Sequence, residues 1–280
     1  EFESPSLSYR RSKVSVDVLE RDPTHKPRVV WCVNGKEVYR TDLCKIFSDL
    51  KFSAARTAIY AADDETHAHA VGLNVGTIAG PEHLAPVFLM WPHRRFNVNL
   101  ESASAGQDFD GRPVAEVPLM DGSAVPFFYG LRRAAGEPEP LVFYDAPVNA
   151  HWDLTEENVD GSRRTFGCVR ICPAETFEVE YVMDRSKSRG DCADIQSAAS
   201  VSIYSPENMF QIFMARTFIS ADEFEQAKAN GLLGGVDESC GMLLSHCDGA
   251  KCSRNFRVAC EPAMHKILDL IGDLTFICPA

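Results

Sequence analysis

The chain lacks any apolar run long enough to cross a bilayer as a helix. Its most hydrophobic stretch, LAPVFLMW at 84–91, is closed off by Pro92, His93, Arg94 and Arg95. Positive charge is also scarce. Against 40 Asp and Glu stand 28 Lys and Arg, leaving a formal net charge of −12. That excludes generic binding to nucleic acid or anionic lipid, although a local basic site is still allowed. Cys-x-x-Cys pairs are missing. Of the ten cysteines, Cys168 and Cys172 are separated by three residues and Cys247 and Cys252 by four. Neither spacing makes a paired zinc-finger set, and in a chain this long the cysteines are expected to be reduced structural thiols in a reducing compartment. An initiating Met and an intact targeting peptide are not seen. The opening EFESPSLSYRRSK suits a matured chain, a fragment or a cloning scar at Glu1-Phe2.

What is present is an ordinary globular composition, 45% hydrophobic and 24% charged over 280 residues. That length allows one large domain or two of common size. Residues 13–20 (KVSVDVLE) alternate apolar and polar and predict a half-buried strand. Residues 27–33 look like its partner, with NGK at 34–36 as a turn. Alternation also predicts strands over 67–75 and 96–102. The spacing of Leu84, Val87, Phe88 and Trp91 predicts a helix over 81–91, with Pro81 suited to its start and Pro86 a cost inside it. A second helix is expected over 124–134, ended by Gly136, and residues 134–141 (AAGEPEPL) are the best linker. Beyond it, 167–173, 176–184 and 240–245 suit strands. A helix capped by Ser205 is expected over 205–218, and another from Ser220, with Glu223 completing a capping box and Gly231 ending it. Each half then holds strands and one or two helices, which predicts an α+β fold of two units, 1–138 and 139–280.

The last predicted helix carries the chemistry. In AMHKILDLIGDL (263–274), Ile267, Leu268, Leu270, Ile271 and Leu274 form one apolar stripe, while His265, Asp269 and Asp273 recur four apart on another. Positions i and i+4 lie roughly 5–6 Å apart at Cβ, a separation that suits two ligands of one metal and equally suits a surface His–Asp hydrogen bond. Glu82 precedes His83 in GPEHL, where a carboxylate beside a metal-bound imidazole could serve as general base, or simply form a polar first turn. His67 and His69 share one strand face and admit the same two readings. His25, His93, His151 and His246 have no neighbouring pattern and are expected at the surface.

PEHL (81–84), VPLMDGSAVPF (117–127), ARTF (215–218) and HKILDLIGDL (265–274) occur in sequence with sensible spacing. Together they closely resemble the UDP-3-O-acyl-N-acetylglucosamine deacetylases of lipid A synthesis, with plant-type members sharing the last motif. The resemblance runs from about residue 12 to the end. It implies a zinc (Zn2+) hydrolase with two similar α+β domains, sheets outside and helices packed between. It maps the metal ligands onto His83, His265 and Asp269, and the general base onto Glu82. Thr217 would polarise the amide carbonyl, and Lys266 and Asp273 would belong to the polar surroundings. The MDGSA segment (120–124) is expected to be structural, with Asp121 and Gly122 in a tight turn and Ser123 as a cap.

The resemblance also marks departures. The family's second catalytic His lies in a Gly-His pair some two dozen residues beyond the zinc-binding one, past Ala280. SLSYRRSK (6–13) lacks the family's Leu-His-Ser-Gly, and GGVDESC (234–240) alters its Gly-Gly-Ser-x-Asp loop. Two functions follow as expectations. One is a zinc deacetylase acting on an acylated nucleotide sugar. The other is a catalytically impaired descendant serving as an interaction subunit of a larger assembly. A eukaryotic organelle, mitochondrion or plastid, or a bacterial cytoplasm is the expected setting, with no nucleic-acid partner.

Overall fold

The computed structural model describes residues 1–7, 9–20, 28–40, 58–60, 77–101, 106–107, 113–142, 149–157, 161–184, 196–230, 233–237, 239–244 and 256–275. The fold is α+β. In chain order the first strands are β1 (Phe2–Ser4), β2 (Ser12–Val18), β3 (Arg28–Val33), β4 (Lys36–Arg40), β5 (Ala58–Tyr60), β6 (Thr77–Ala79), β7 (Arg95–Glu101), β8 (Gly106–Gln107) and β9 (Pro113–Glu116). They make a five-stranded sheet ordered β1-β2-β7-β3-β4 and a four-stranded sheet ordered β5-β6-β9-β8. The alternation in β7 turns Phe96, Val98 and Leu100 inward, where they meet Val14, Val29, Trp31 and Val33 in the core.

β3 does not pair with β2. β7 lies between them, antiparallel to β2 and parallel to β3. The turn at Asn34 (φ 49) and Gly35 (φ 79) leads instead into β4, as two positive φ values in a tight hairpin require. Asn34-Gly35 identifies the hairpin from the sequence, but the insertion of β7 is a long-range pairing with no local signature.

The 81–91 segment is not an α-helix. It forms two 3₁₀ turns, Pro81–His83 and Ala85–Met90, closed by i→i+3 bonds from Leu84 N to Pro81 O (3.1 Å), Val87 N to Leu84 O (3.2 Å) and Trp91 N to Phe88 O (3.1 Å). Pro86 has no N–H to offer the carbonyl of Glu82, so the α ladder has no bond at that point. Phe88 meets Trp31 and Phe96, seating this segment against the five-stranded sheet.

Helix α1 (Val125–Ala135) ends at Gly136 (φ 89). Ser123 is not its N-cap, which is Ala124, yet the Ser123 hydroxyl accepts from Val125 N at 3.3 Å. The expected linker is tied down: Trp91 Nε1 donates to the carbonyls of Gly136 (3.2 Å) and Glu137 (3.1 Å), and Glu139 N donates to Met90 O (2.9 Å).

The later elements are the hairpins β10 (Ala150–Glu157) with β11 (Arg163–Ile171) and β12 (Phe177–Asp184) with β13 (Gln196–Ile203), then α2 (Pro206–Phe213), β14 (Phe218–Ser220), α3 (Ala221–Ala229), β15 (Met242–Leu244) and α4 (Glu261–Leu274). Ser205 and Ser220 cap α2 and α3, the latter in a full capping box with Glu223. α2 stops at Phe213, short of the expected 218. The Phe213 carbonyl is taken by Ala124 N (3.1 Å), and Thr217 is drawn away into bonds with Gly122 O (2.6 Å) and Met242 N (2.8 Å). Phe218–Ser220 then pairs in parallel with β15. α4 packs on β12, β13, α2 and both 3₁₀ turns, burying Ile267, Leu268 and Ile271. The expected strand over 67–75, the ending of α3 at Gly231, and His25, His67, His69 and His246 lie outside the described residues.

Candidate metal centre

α4 presents its second stripe to the first 3₁₀ turn. Contact is close because Gly272 has no side chain: a Cβ there would lie 2.2 Å from the Glu82 carbonyl oxygen and 2.8 Å from its Cα. A mid-helix glycine costs about 1 kcal/mol against alanine, so its presence points to a close backbone approach. That approach brings His83 beside α4. The His83 and His265 rings meet edge-on with centroids 4.9 Å apart, and they are 5% and 1% exposed.

Asp269 Oδ1 lies 3.4 Å from His83 Nε2 and 3.3 Å from His265 Nε2, outside hydrogen-bonding geometry with either. Its other oxygen, Oδ2, accepts from Lys266 Nζ at 2.9 Å. His265 Nδ1 faces the Ala215 carbonyl at 3.2 Å, and a carbonyl can only accept. The proton therefore sits on Nδ1, and Nε2 turns a lone pair toward a carboxylate oxygen. Two acceptors face each other in a buried site, an arrangement that a cation between them would satisfy. Burial pushes His265 down to about 4, against the pull of Asp269. Burial also opposes charge on His83, but Asp269 and Glu82 outweigh it and hold that imidazole above its ordinary value. Asp269 resists its own burial through His265, His83 and Lys266, which keep it far below the usual carboxylate range.

The three donor atoms lie within 4.8 Å of one another. Donors around a tetrahedral cation with bonds of about 2.0–2.2 Å are spaced by roughly 3.3–3.6 Å. The spacings from Asp269 to the two histidines match this. Two imidazole nitrogens and one carboxylate oxygen are a donor set that zinc accepts with one position left open, so the residues fit the metal.

The other predicted residues surround this cluster to different degrees. Glu82 is close enough to raise both His83 and Lys266. The Lys266 ammonium lies 5.6 Å from the Phe218 ring centre, and the Phe218 ring meets His265 edge-on. Burial works against its charge, but Asp269 prevails and raises it. Thr217 lies between Ala215 and Phe218, with its methyl group packed where Cβ atoms on Gly122 and Gly241 would otherwise stand. Asp273 is one helical turn past Asp269 and partly buried.

Sequence reasoning missed Glu261, Arg216 and Gly272. The signals were an acidic residue beside Pro262 at a helix start and a glycine inside a strong helical pattern. The two segments that depart from the family pattern pack on each other. Gly235 N donates to Leu7 O at 3.3 Å, and a Cβ on Gly235 would strike the carbonyls of Ser6 and Tyr9. Beside them is a cleft of about 560 Å³ lined by Arg10, Lys228, Leu233 and Val236 among others.

The family model described as "UDP-3-O-acyl N-acetylglycosamine deacetylase" (LpxC) matches residues 41–278. The chain belongs to the LpxC family. Similar proteins include UDP-3-O-acyl-N-acetylglucosamine deacetylases of Acinetobacter baumannii. One is 30% identical over 181 residues, covering 62% of this chain and 55% of the relative. Another, from strain AYE, is 29% identical over 183 residues with the same coverage. This LpxC-family chain thus spans about half the length of the curated relatives it matches. Among its described residues no helix is long and apolar enough to cross a membrane.

Proposed function

We propose that the chain is a zinc-dependent deacetylase that hydrolyses the N-acetyl group of an acylated UDP-N-acetylglucosamine or a related amide. The observation that carries this reading is the convergence of His83 Nε2, His265 Nε2 and Asp269 Oδ1 beside Glu82 in a chain of the LpxC family. These three residues would hold the metal. When bound, zinc supplies Lewis acidity and brings the pKa of a coordinated water down to about 7.

The chain's own groups would do the rest. Glu82 takes a proton from the water as the water adds to the amide carbonyl carbon. The C–N bond then breaks as Glu82 passes that proton to the departing nitrogen, releasing acetate and a free amine. Lys266, kept charged and oriented by Asp269, faces the negative charge that develops on the carbonyl oxygen. Thr217 sits on the peptide run that supports His265 and would help polarise that carbonyl. Asp273 extends the polar stripe of α4 one turn beyond Asp269. His265 is held to one tautomer by Ala215, so no reorganisation is needed when substrate arrives.

The experiment is to measure metal content and deacetylation of an acyl-UDP-N-acetylglucosamine analogue together. Glu82→Ala is expected to keep zinc and lose about 10²–10⁴ in turnover. A zinc-free, inactive preparation that zinc does not restore would overturn the reading. A second reading rests on the altered SLSYRRSK and GGVDESC segments: a descendant that keeps the metal for folding and serves as a structural subunit. Bound zinc without turnover selects it.

A further inference from the structure

Glu261 opens α4 and is fully buried, at 0% exposure. A buried carboxylate is costly unless its oxygens are filled. Four donors fill them. Oε1 accepts from the Arg216 backbone N–H (3.0 Å) and from Arg216 Nε (2.9 Å). Oε2 accepts from Arg216 Nη2 (3.3 Å) and from the Arg257 backbone N–H (2.8 Å). One of these donors has a role beyond folding. The Arg216 N–H belongs to the same peptide unit as the Ala215 carbonyl, which receives His265 Nδ1 at 3.2 Å. A single trans peptide therefore rests its N–H on a carboxylate and its C=O on an imidazole. Both side chains come from successive turns of α4.

We propose that Glu261 is a positioning residue for His265, acting in series through the Ala215–Arg216 peptide. The inference rests on the reading of His265 Nε2 as a metal ligand. A carboxylate placed directly on the far nitrogen of a metal-bound histidine fixes its tautomer and strengthens it as a ligand. Here a peptide is interposed. Donation of its N–H to an ionised carboxylate polarises the amide, and its carbonyl becomes a stronger acceptor for Nδ1–H. The carboxylate charge is thereby felt at Nε2, although Glu261 touches neither the imidazole nor the site.

A purely structural role, an acidic residue anchoring the start of a helix, makes different predictions. Ser197 supplies the control. Its hydroxyl accepts from Ala263 N at 3.2 Å, at the same end of α4. Ser197→Ala loosens the helix start and leaves the peptide between Ala215 and Arg216 intact.

The test follows amide and imidazole ¹⁵N resonances of the metal-free chain as zinc is added, in the wild type, Glu261→Gln and Ser197→Ala. In the wild type, zinc is expected to shift His265 and, through the peptide, the Arg216 amide, while the Ala263 amide stays in place. Glu261→Gln is expected to break the response at Arg216 and to weaken zinc binding about tenfold, at the low end of what an outer partner contributes. Ser197→Ala is expected to change neither, whatever it does to thermal stability. The inference is overturned if zinc moves His265 and not Arg216, if Glu261→Gln binds zinc like the wild type, or if Ser197→Ala behaves like Glu261→Gln. Should Glu261→Gln fail to fold, the contrast between Arg216 and Ala263 in the wild type decides. Absence of any response at His265 defeats the metal reading itself, and the series coupling with it.

Discussion

Among the described residues, two parts of the molecule place a histidine against an aspartate. On the hairpin of β10 and β11, His151 Nε2 lies 3.1 Å from Asp153 Oδ1, with side chains 48% and 59% exposed. At the face of α4, Asp269 sits between His83 and His265 at the longer distances of 3.4 and 3.3 Å, with both imidazoles buried. The shorter pair is the solvated one. Water solvates each partner of the hairpin pair, so its contribution to stability is about 0–1 kcal/mol. In the buried cluster, water is replaced by Phe218, the other imidazole and the backbone of Ala215, and the donor atoms of three side chains are concentrated at one point. Burial and convergence distinguish a site from a contact, and pair distance does not.

The largest expected break in this comparison comes from His265→Ala. It should reduce zinc affinity by more than the about 10–100-fold that losing an outer partner costs, while His151→Ala leaves zinc content unchanged; equilibrium dialysis against a chelator measures both. Next comes Gly272→Ala. Alanine favours the helix by about 1 kcal/mol, but its Cβ would meet the Glu82 carbonyl at 2.2 Å, a backbone atom that cannot swing away. Overpacking of this kind costs about 1–3 kcal/mol. A net loss in thermal stability, accompanied by weaker zinc binding, is therefore expected. A variant with a raised melting temperature and normal zinc affinity would show that the two segments do not need this contact.

The smallest effect concerns Asp121, which accepts from Arg257 Nη1 at 2.6 Å and from the Ser123 hydroxyl at 2.7 Å. Burial opposes its charge, yet Ser123 and Arg257 together hold its carboxyl below the ordinary value. A carboxyl depressed in the folded state contributes stability that is complete above its unfolded pKa of about 3.9 and fades as pH falls through the folded value. Asp121→Asn should flatten the acid limb of the stability curve by less than about 1 kcal/mol, because the pair is about a third exposed. Urea melts at pH 7 and pH 3 on both proteins measure the difference, and equal pH dependence would remove Asp121 from the account.

Much of the fold is legible from local pattern. The stripes of α4, the capping box of α3 and the Asn34-Gly35 turn depend on residues within a few positions of each other, and their physics is local. The position of β7 between β2 and β3 is different. It is decided by pairing across some eighty residues, for which alternation within one strand carries no information. The 3₁₀ turns at 81–90 follow from Pro86, whose helical cost is visible in the sequence while the geometry that absorbs it is not. The stripe of His265 and Asp269 is legible as a possibility, as is His83 beside Glu82; that the two belong together is legible only through the family pattern. Glu261 is legible only as an acidic residue at a helix start; its tie to Arg216 and His265 is not, because it runs through a backbone peptide.

The missing side chain at Gly272 also limits how the chain can assemble. If α4 slid by about one turn along the 3₁₀ segment, Leu268, Asp269 or Thr275 would be carried to the spot where only a hydrogen atom fits. Each would hold the helix off and part the two histidines. The pocket carved by one absent methyl thus works as a key with a single cut, admitting one docking register out of the several that the repeating apolar stripe would otherwise permit.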